Sequence, residues 1–191
     1  MSTANTPDIS LELEKLRLDF LFEKGINFND RSIKLDGEVG ADFCFWDFDN
    51  AMSELERHNK KPITLKINSI GGSVTEALAI IGRMKASKCK IHIEVYGEAF
   101  SAATLILAFG NKRKVSRFAT LMHHEISYPV SGRHSGNINQ VDQYKKEWST
   151  WCDWLATCTK KPASFWMSKS KQDYFISPEE AVLFGLADEI F

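Results

Sequence analysis

Apolar and polar positions change period several times along the chain. Leu11 to Phe22 carries apolar residues at 11, 13, 16, 18, 20, 21 and 22 among charges, which predicts a helix ending near Gly25. Ile33 and Leu35 alternate with polar neighbours, predicting a short strand and then a turn at Asp36-Gly37. Between Ala41 and His58, the residues Phe45, Phe48, Met52 and Leu55 fall three or four apart, so a helix there has one apolar face. Ile63, Leu65 and Ile67 alternate as a strand, broken by Asn68-Ser-Ile-Gly-Gly72. Val74, Ala77, Leu78, Ile81 and Met84 return to a helical period, and Ile91, Ile93 and Val95 predict a strand that stops at Gly97.

Ser101 to Phe109 is almost wholly apolar and predicts a short buried helix, with Thr104 as its polar member. Short strands follow around Lys114 to Ser116 and Thr120 to His124. Residues 125–139 are polar and hold Pro129, Gly132 and Gly136, an exposed loop or an edge strand. Val141 to Cys158 is a helix rich in aromatics, with Trp148, Trp151 and Trp154. Ser177-Pro-Glu-Glu180 is a capping box with proline in the first turn, and its helix ends at Gly185 before Leu186 to Ile190 closes the chain. Strand, helix, strand, helix in this order argues for an α/β fold of β-α-β units around a mainly parallel sheet. Residues 1–9 read as a polar arm, and no repeat, low-complexity tract or linker divides the chain.

Composition narrows the function classes. With 191 residues, 26% charged and 43% hydrophobic, the chain has ordinary globular proportions. A balance of 24 Lys+Arg against 25 Asp+Glu leaves a charge of −1, with no electrostatic footprint for nucleic acid or an anionic membrane. The longest apolar run, Ala102 to Phe109, is far short of the roughly 20 residues a bilayer span needs. The amino terminus has no basic start followed by an apolar core, so no secretory signal is expected. Cys44, Cys89, Cys152 and Cys158 form no C-x-x-C pair, which suggests free thiols in a reducing cytosol and no zinc site.

Three residues at element boundaries carry candidate chemistry. Ser101 opens an apolar helix, where amides favour developing negative charge. His124 ends a strand, and a neutral imidazole there can take a proton from a hydroxyl. Asp173 precedes the capped helix, and a buried carboxylate on the far ring nitrogen would fix the tautomer. Gly71-Gly72 offers backbone without Cβ, which lets a carbonyl approach an N–H. Each also has an ordinary reading. A serine before a helix serves as an N-cap, a strand-end histidine as a hydrogen-bonded residue, an aspartate as a turn former, and Gly-Gly as a turn or phosphate cradle. No G-x-S-x-G elbow is present.

Together the segments resemble a known family. Ile67-Asn-Ser-Ile-Gly-Gly-Ser-Val74 resembles the Asn-Ser-Pro-Gly-Gly motif of the proteolytic subunit of the Clp protease family, the caseinolytic serine peptidases. Gly97-Glu-Ala-Phe-Ser-Ala102 resembles its nucleophile segment Gly-Gln-Ala-Ala-Ser-Met, and Leu121-Met-His-His-Glu125 its Met-Ile-His-Gln segment. Asp173-Tyr-Phe-Ile-Ser-Pro-Glu-Glu-Ala-Val-Leu-Phe-Gly-Leu-Ala-Asp-Glu-Ile190 resembles its closing stretch. The resemblance runs from about Ile33 to Phe191, and the Ser-Ala-Ala-Thr variant at the nucleophile resembles divergent and phage members.

The resemblance implies a crotonase-like spiral of β-β-α units with a protruding β-α handle at about residues 126–158. Residues 1–30 would be an arm and helix, and residues 31–191 one peptidase domain. It implies Ser101 as nucleophile, His124 (not His123) as base, Asp173 as orienting acid, and the N–H groups of Gly72 and Ala102 as the oxyanion hole. A peptide would add as a strand beside Ile70, Gly71 and Ser73 and the chain after His124, at Glu125. No cofactor or metal is implied.

The expected assembly is a homo-oligomer of heptameric rings stacked as a 14-mer, cytoplasmic, acting on peptides or unfolded proteins. A separate Clp ATPase would serve it, since the chain has no Walker A sequence. The Trp-rich helix would then bury its rings against a neighbouring subunit. Two alternatives share the fold: a non-catalytic paralogue in a mixed ring, and a crotonase-type enzyme acting on acyl-CoA. Ile70 stands where the family has Pro, Phe100 where it has a small residue, and Gln172 where it has Arg.

Overall fold

The amphipathic segments of the chain pack around one sheet. The structure, a computed structural model, describes residues 9–127 and 134–191. In chain order these are α1 (Ile9–Lys24), β1 (Ile26–Asn27), β2 (Ser32–Val39), α2 (Phe45–His58), β3 (Ile63–Gly72), α3 (Val74–Ala86), β4 (Ile91–Phe100), α4 (Ala102–Ala108), β5 (Lys112–Val115), β6 (Thr120–His123), α5 (His134–Cys158), α6 (Ala163–Lys169), β7 (Tyr174–Ile176), α7 (Pro178–Phe184) and β8 (Glu189–Ile190). Among the described residues, eight strands form one sheet in the order β1-β2-β3-β4-β5-β8, with β6 and β7 branching from β4. This mixed α/β arrangement is consistent with the fold that the resemblance implies. Residues 1–8 of the expected arm and 128–133 of the expected loop or edge strand lie outside the described residues.

Burial follows the strand period. Ile63, Leu65 and Ile67 of β3 and Ile91, Ile93 and Val95 of β4 are at most 1% exposed, and they stand opposite one another in parallel register. Helices α2 and α3 cross between parallel neighbours, burying Phe48, Met52 and Leu55 from one and Ala77, Ile80 and Met84 from the other. All seven residues of α4 are buried, as its apolar run predicts. The Ser177 capping box is present, with Glu180 answering the N-cap N–H, and Gly185 ends α7 in the left-handed conformation.

Two expected strand ends do not occur. Strand β3 continues through Asn68 to Gly72, and β4 continues through Gly97 to Phe100. The breaker residues form bulges, with register shifts between Asp36 and Glu38 on β2 and between Ile67 and Ser69 on β3. The Asn68 side chain fills the gap: its carbonyl oxygen accepts the Glu98 N–H at 3.1 Å, and its amide donates to Asp36 at 2.9 Å. The expected turn at Asp36-Gly37 is part of the same bulge.

The Trp-rich helix also differs from expectation. Trp148 and Trp151 are 6% and 2% exposed and pack inside the chain, leaving only Trp154 half-open. The reason is His123, whose ring stacks on Trp148 at 5.2 Å and meets Trp166 of α6 edge-on. Two of the three rings therefore complete this core.

Candidate functional site

Strands β4 and β6 run parallel, pairing Ala99 with Leu121 and Phe100 with Met122, so both deliver their next residues to the same end of the sheet. The residue that follows β4 is Ser101 and the residue that follows β6 is His124. Strand β7 pairs antiparallel with β6, bringing Tyr174 beside His123 and Asp173 to the same edge.

The three side chains form one hydrogen-bonded chain. Asp173 Oδ1 lies 3.2 Å from His124 Nδ1, and His124 Nε2 lies 2.8 Å from Ser101 Oγ. A carboxylate only accepts, so Nδ1–H donates to Asp173, and bare Nε2 accepts the Ser101 hydroxyl proton. Ser101 has φ +51° and ψ −118°, a conformation of order 1–3 kcal/mol above the allowed regions for an L-residue. It sits at the N-cap of α4, yet its side chain makes no capping bond there. Ser73 and Ser177, at normal dihedrals, do cap their helices. The strained backbone thus turns the Ser101 hydroxyl away from the ordinary N-cap role and toward His124. Its N–H donates to Met122 O at 2.8 Å, which ties the turn to β6.

Gly71 is packed against this turn. A Cβ there would lie 2.5 Å from Phe100 O, 2.8 Å from Ser101 Cβ and 3.1 Å from Ala102 N, and φ is +89°. Only glycine lets β3 approach so closely. A Cβ on Gly72 would instead meet Val39 of β2. The Gly71 N–H is held by Ser69 Oγ at 3.1 Å, whose own hydroxyl donates to Gly37 O. The Ser73 N–H donates to Val39 O and its Oγ accepts the Glu76 N–H, while the Glu125 N–H donates to Ser170 O. Of the residues expected beside a substrate strand, Ile70 presents its side chain to solvent, at 57% exposed. Ala102 is fully buried at the first position of α4.

One expectation is corrected. The Asp173 side chain is 60% exposed, not buried. It precedes β7, which among the described residues pairs only with β6 and so ends its branch of the sheet. His124 is more enclosed, with its side chain 27% exposed.

The two adjacent histidines have different surroundings. His123 is 1% exposed, and its Nε2–H donates to Trp166 O at 3.2 Å. Burial pushes its pKa down to about 4, so the ring is neutral and structural. Phe100, where the resemblance has a small residue, meets Phe175 edge-on at 5.9 Å across Met122.

Beyond Gly72 and His124, a cleft of about 150 Å³ is lined by Val74, Leu78, Ile126, Trp151 and Trp154, with Lys146 and Glu147 among its polar residues. Trp151 Nε1 is buried without a hydrogen-bond partner among the described residues. Two larger clefts border α1 and contain none of the candidate site residues. Among the described residues, no cluster of His, Cys, Asp or Glu is placed to hold a metal, and no helix is long and apolar enough to cross a membrane.

Comparison with known proteins identifies the family. The chain is 33% identical over 138 residues to ATP-dependent Clp protease proteolytic subunit 2 of Chlamydia muridarum, a match covering 68% of this chain and 65% of that protein. It is 29% identical over 133 residues to the protein of the same name in Chlamydia pneumoniae, covering 69% and 66%. The chain thus spans just under two thirds of the length of these relatives. The model of the Clp protease family matches residues 25–191, which takes in every strand and every candidate residue described above. This chain belongs to the Clp protease family.

Proposed function

We propose that the chain is a serine endopeptidase subunit in which Ser101, His124 and Asp173 act as a catalytic triad. The observation that carries the reading is the 2.8 Å approach of Ser101 Oγ to His124 Nε2 from a strained backbone that forgoes helix capping. Ser101 Oγ attacks the scissile carbonyl while His124 Nε2 takes its proton. The C–N bond then breaks, the imidazolium returns that proton to the leaving amine, and an acyl-serine remains. Water, deprotonated by His124, attacks the ester and frees the acyl half. Asp173 holds the Nδ1–H tautomer and balances the imidazolium charge.

The N–H groups of Gly72 and Ala102 receive the developing oxyanion. The choice of Gly72 over Gly71 is supported by the Ser69 hydroxyl that already holds the Gly71 N–H. The substrate lies extended beside the Ile70 to Ser73 segment, and past Glu125. The cleft between Val74, Ile126 and Trp154 takes an apolar side chain.

The working form is a homo-oligomer of heptameric rings stacked as a 14-mer and fed by a separate ATPase. The family membership supports this, as do the leucines of α1. Leu11, Leu13, Leu16 and Leu18 are 47–68% exposed in the lone chain, an apolar surface that an assembly covers.

The test is incubation of the purified particle with an unstructured, apolar-rich peptide, followed by product analysis and particle mass. Internal cleavage by a ring-sized particle, absent in Ser101→Ala, is the expected result. A ring-sized wild-type particle that cleaves no peptide and is not labelled by a fluorophosphonate, a reagent for activated serines, would overturn the reading.

A further inference from the structure

One hydroxyl interrupts the buried helix α4. Six of its seven residues are Ala, Leu or Ile, and the exception, Thr104, is 1% exposed. A threonine inside a helix usually satisfies its hydroxyl on a carbonyl of its own preceding turn. Thr104 does not. Its Oγ1 lies 2.6 Å from Ala99 O on β4 and 2.8 Å from Met122 O on β6. The hydroxyl has a single proton and donates to one of these carbonyls at a time, so it bridges the two strand ends by exchange.

Those carbonyls occupy equivalent places. Ala99 stands two residues before Ser101, and Met122 two residues before His124. The β4–β6 ladder stops at Phe100 and Met122. Past that point, Met122 O also accepts the Ser101 N–H at 2.8 Å, and Ser101 O accepts the Thr104 N–H at 3.0 Å. A closed ring of bonds therefore runs from Ser101 N–H to Met122 O, to the Thr104 hydroxyl, and through Thr104 N–H back to Ser101 O. It encloses the residue with the positive φ.

We propose that Thr104 is a positioning residue for catalysis. Its hydroxyl fastens the strand end that delivers Ser101 to the strand end that delivers His124, and so sets their separation. This rests on the triad roles proposed above. A valine at 104 keeps the volume and removes the bridge. Serine keeps the bridge and removes a methyl group.

The experiment compares Thr104→Val, Thr104→Ser and the wild-type particle, matched for mass and melting temperature. It measures peptide kinetics and the rate of fluorophosphonate labelling. Thr104→Val is expected to lower kcat by about 10- to 100-fold at nearly constant KM, the size of effect that a small misplacement of reacting atoms produces. Labelling should slow by a similar factor, and Thr104→Ser should recover most of both. If Thr104→Val does not assemble, Thr104→Ala takes its place against Thr104→Ser in the same comparison. Wild-type kcat and labelling in the valine or alanine variant, or an equal loss in the serine variant, would overturn the clamp while leaving the triad intact. A wild-type particle that is not labelled at Ser101 would overturn both.

Discussion

His123 and His124 are adjacent in the chain and serve opposite environments. His123 stacks on Trp148 with its Nε2–H on Trp166 O, while His124 faces Ser101 and Asp173. Alternation along β6 separates them: one ring enters the core that α5 and α6 close, and the other leaves toward the site.

The buried ring makes a prediction about stability. The pKa of His123 in the folded chain is about 4, below the 6.5 of a free histidine. Between those values the unfolded chain takes up a proton that the folded chain does not, so stability falls as pH drops from 6.5 toward 4. The loss is complete near 4 and amounts to at most about 3 kcal/mol. Urea unfolding of wild type and His123→Phe at pH 7, 6, 5 and 4.5 measures it. The wild type should lose more stability on acidification than the variant, and parallel curves would contradict the assignment.

Gly71 and Gly82 make a contrasting pair. Alanine at 71 would drive a carbon into Phe100 O and onto the Ala102 N–H at a backbone angle that L-residues avoid. Gly71→Ala should abolish turnover by about 100-fold or more and cost about 1–3 kcal/mol of stability. A Cβ on Gly82, in the exposed face of α3, meets nothing within 4 Å. Gly82→Ala should leave turnover unchanged and raise stability by up to about 1 kcal/mol. Peptide kinetics and thermal melts on both variants check this, and an active Gly71→Ala would contradict the tight approach of β3.

Asp173 is exposed, so water competes for its partner. Replacing a buried triad acid with its amide costs about 10⁴-fold in kcat. For Asp173→Asn the expected loss is between about 10²- and 10⁴-fold, with KM little changed. A loss below tenfold would remove Asp173 from the triad.

Much of this was legible before the structure, for physical reasons. Helices α2 and α3 declare themselves because their apolar positions repeat over two or more turns, α4 because its run is almost wholly apolar, and the Ser177 box states its own cap. The motif segments located Ser101, His124 and Asp173, and the fold brings all three together. What escaped was short or depended on distant partners. Strand β7 has three residues and α6 has seven, too few for a period to show. Asn68 and Gly97 read as breakers, but a side-chain amide replaces the missing ladder bonds there. The exposure of Asp173 follows from its strand being an edge, which only the pairing order reveals. Trp148 went inward to stack on a histidine from another element, and Trp151 packs beside Trp148. Thr104 was visible as a lone hydroxyl in an apolar run, but its two carbonyl partners lie on separate strands.

The most direct measurement is mass-spectrometric mapping of a fluorophosphonate adduct on the intact particle. The account predicts a single adduct on Ser101, absent in Ser101→Ala and formed far more slowly in His124→Ala. An adduct elsewhere that survives Ser101→Ala, or labelling of Ser101 at an unchanged rate without His124, would contradict it.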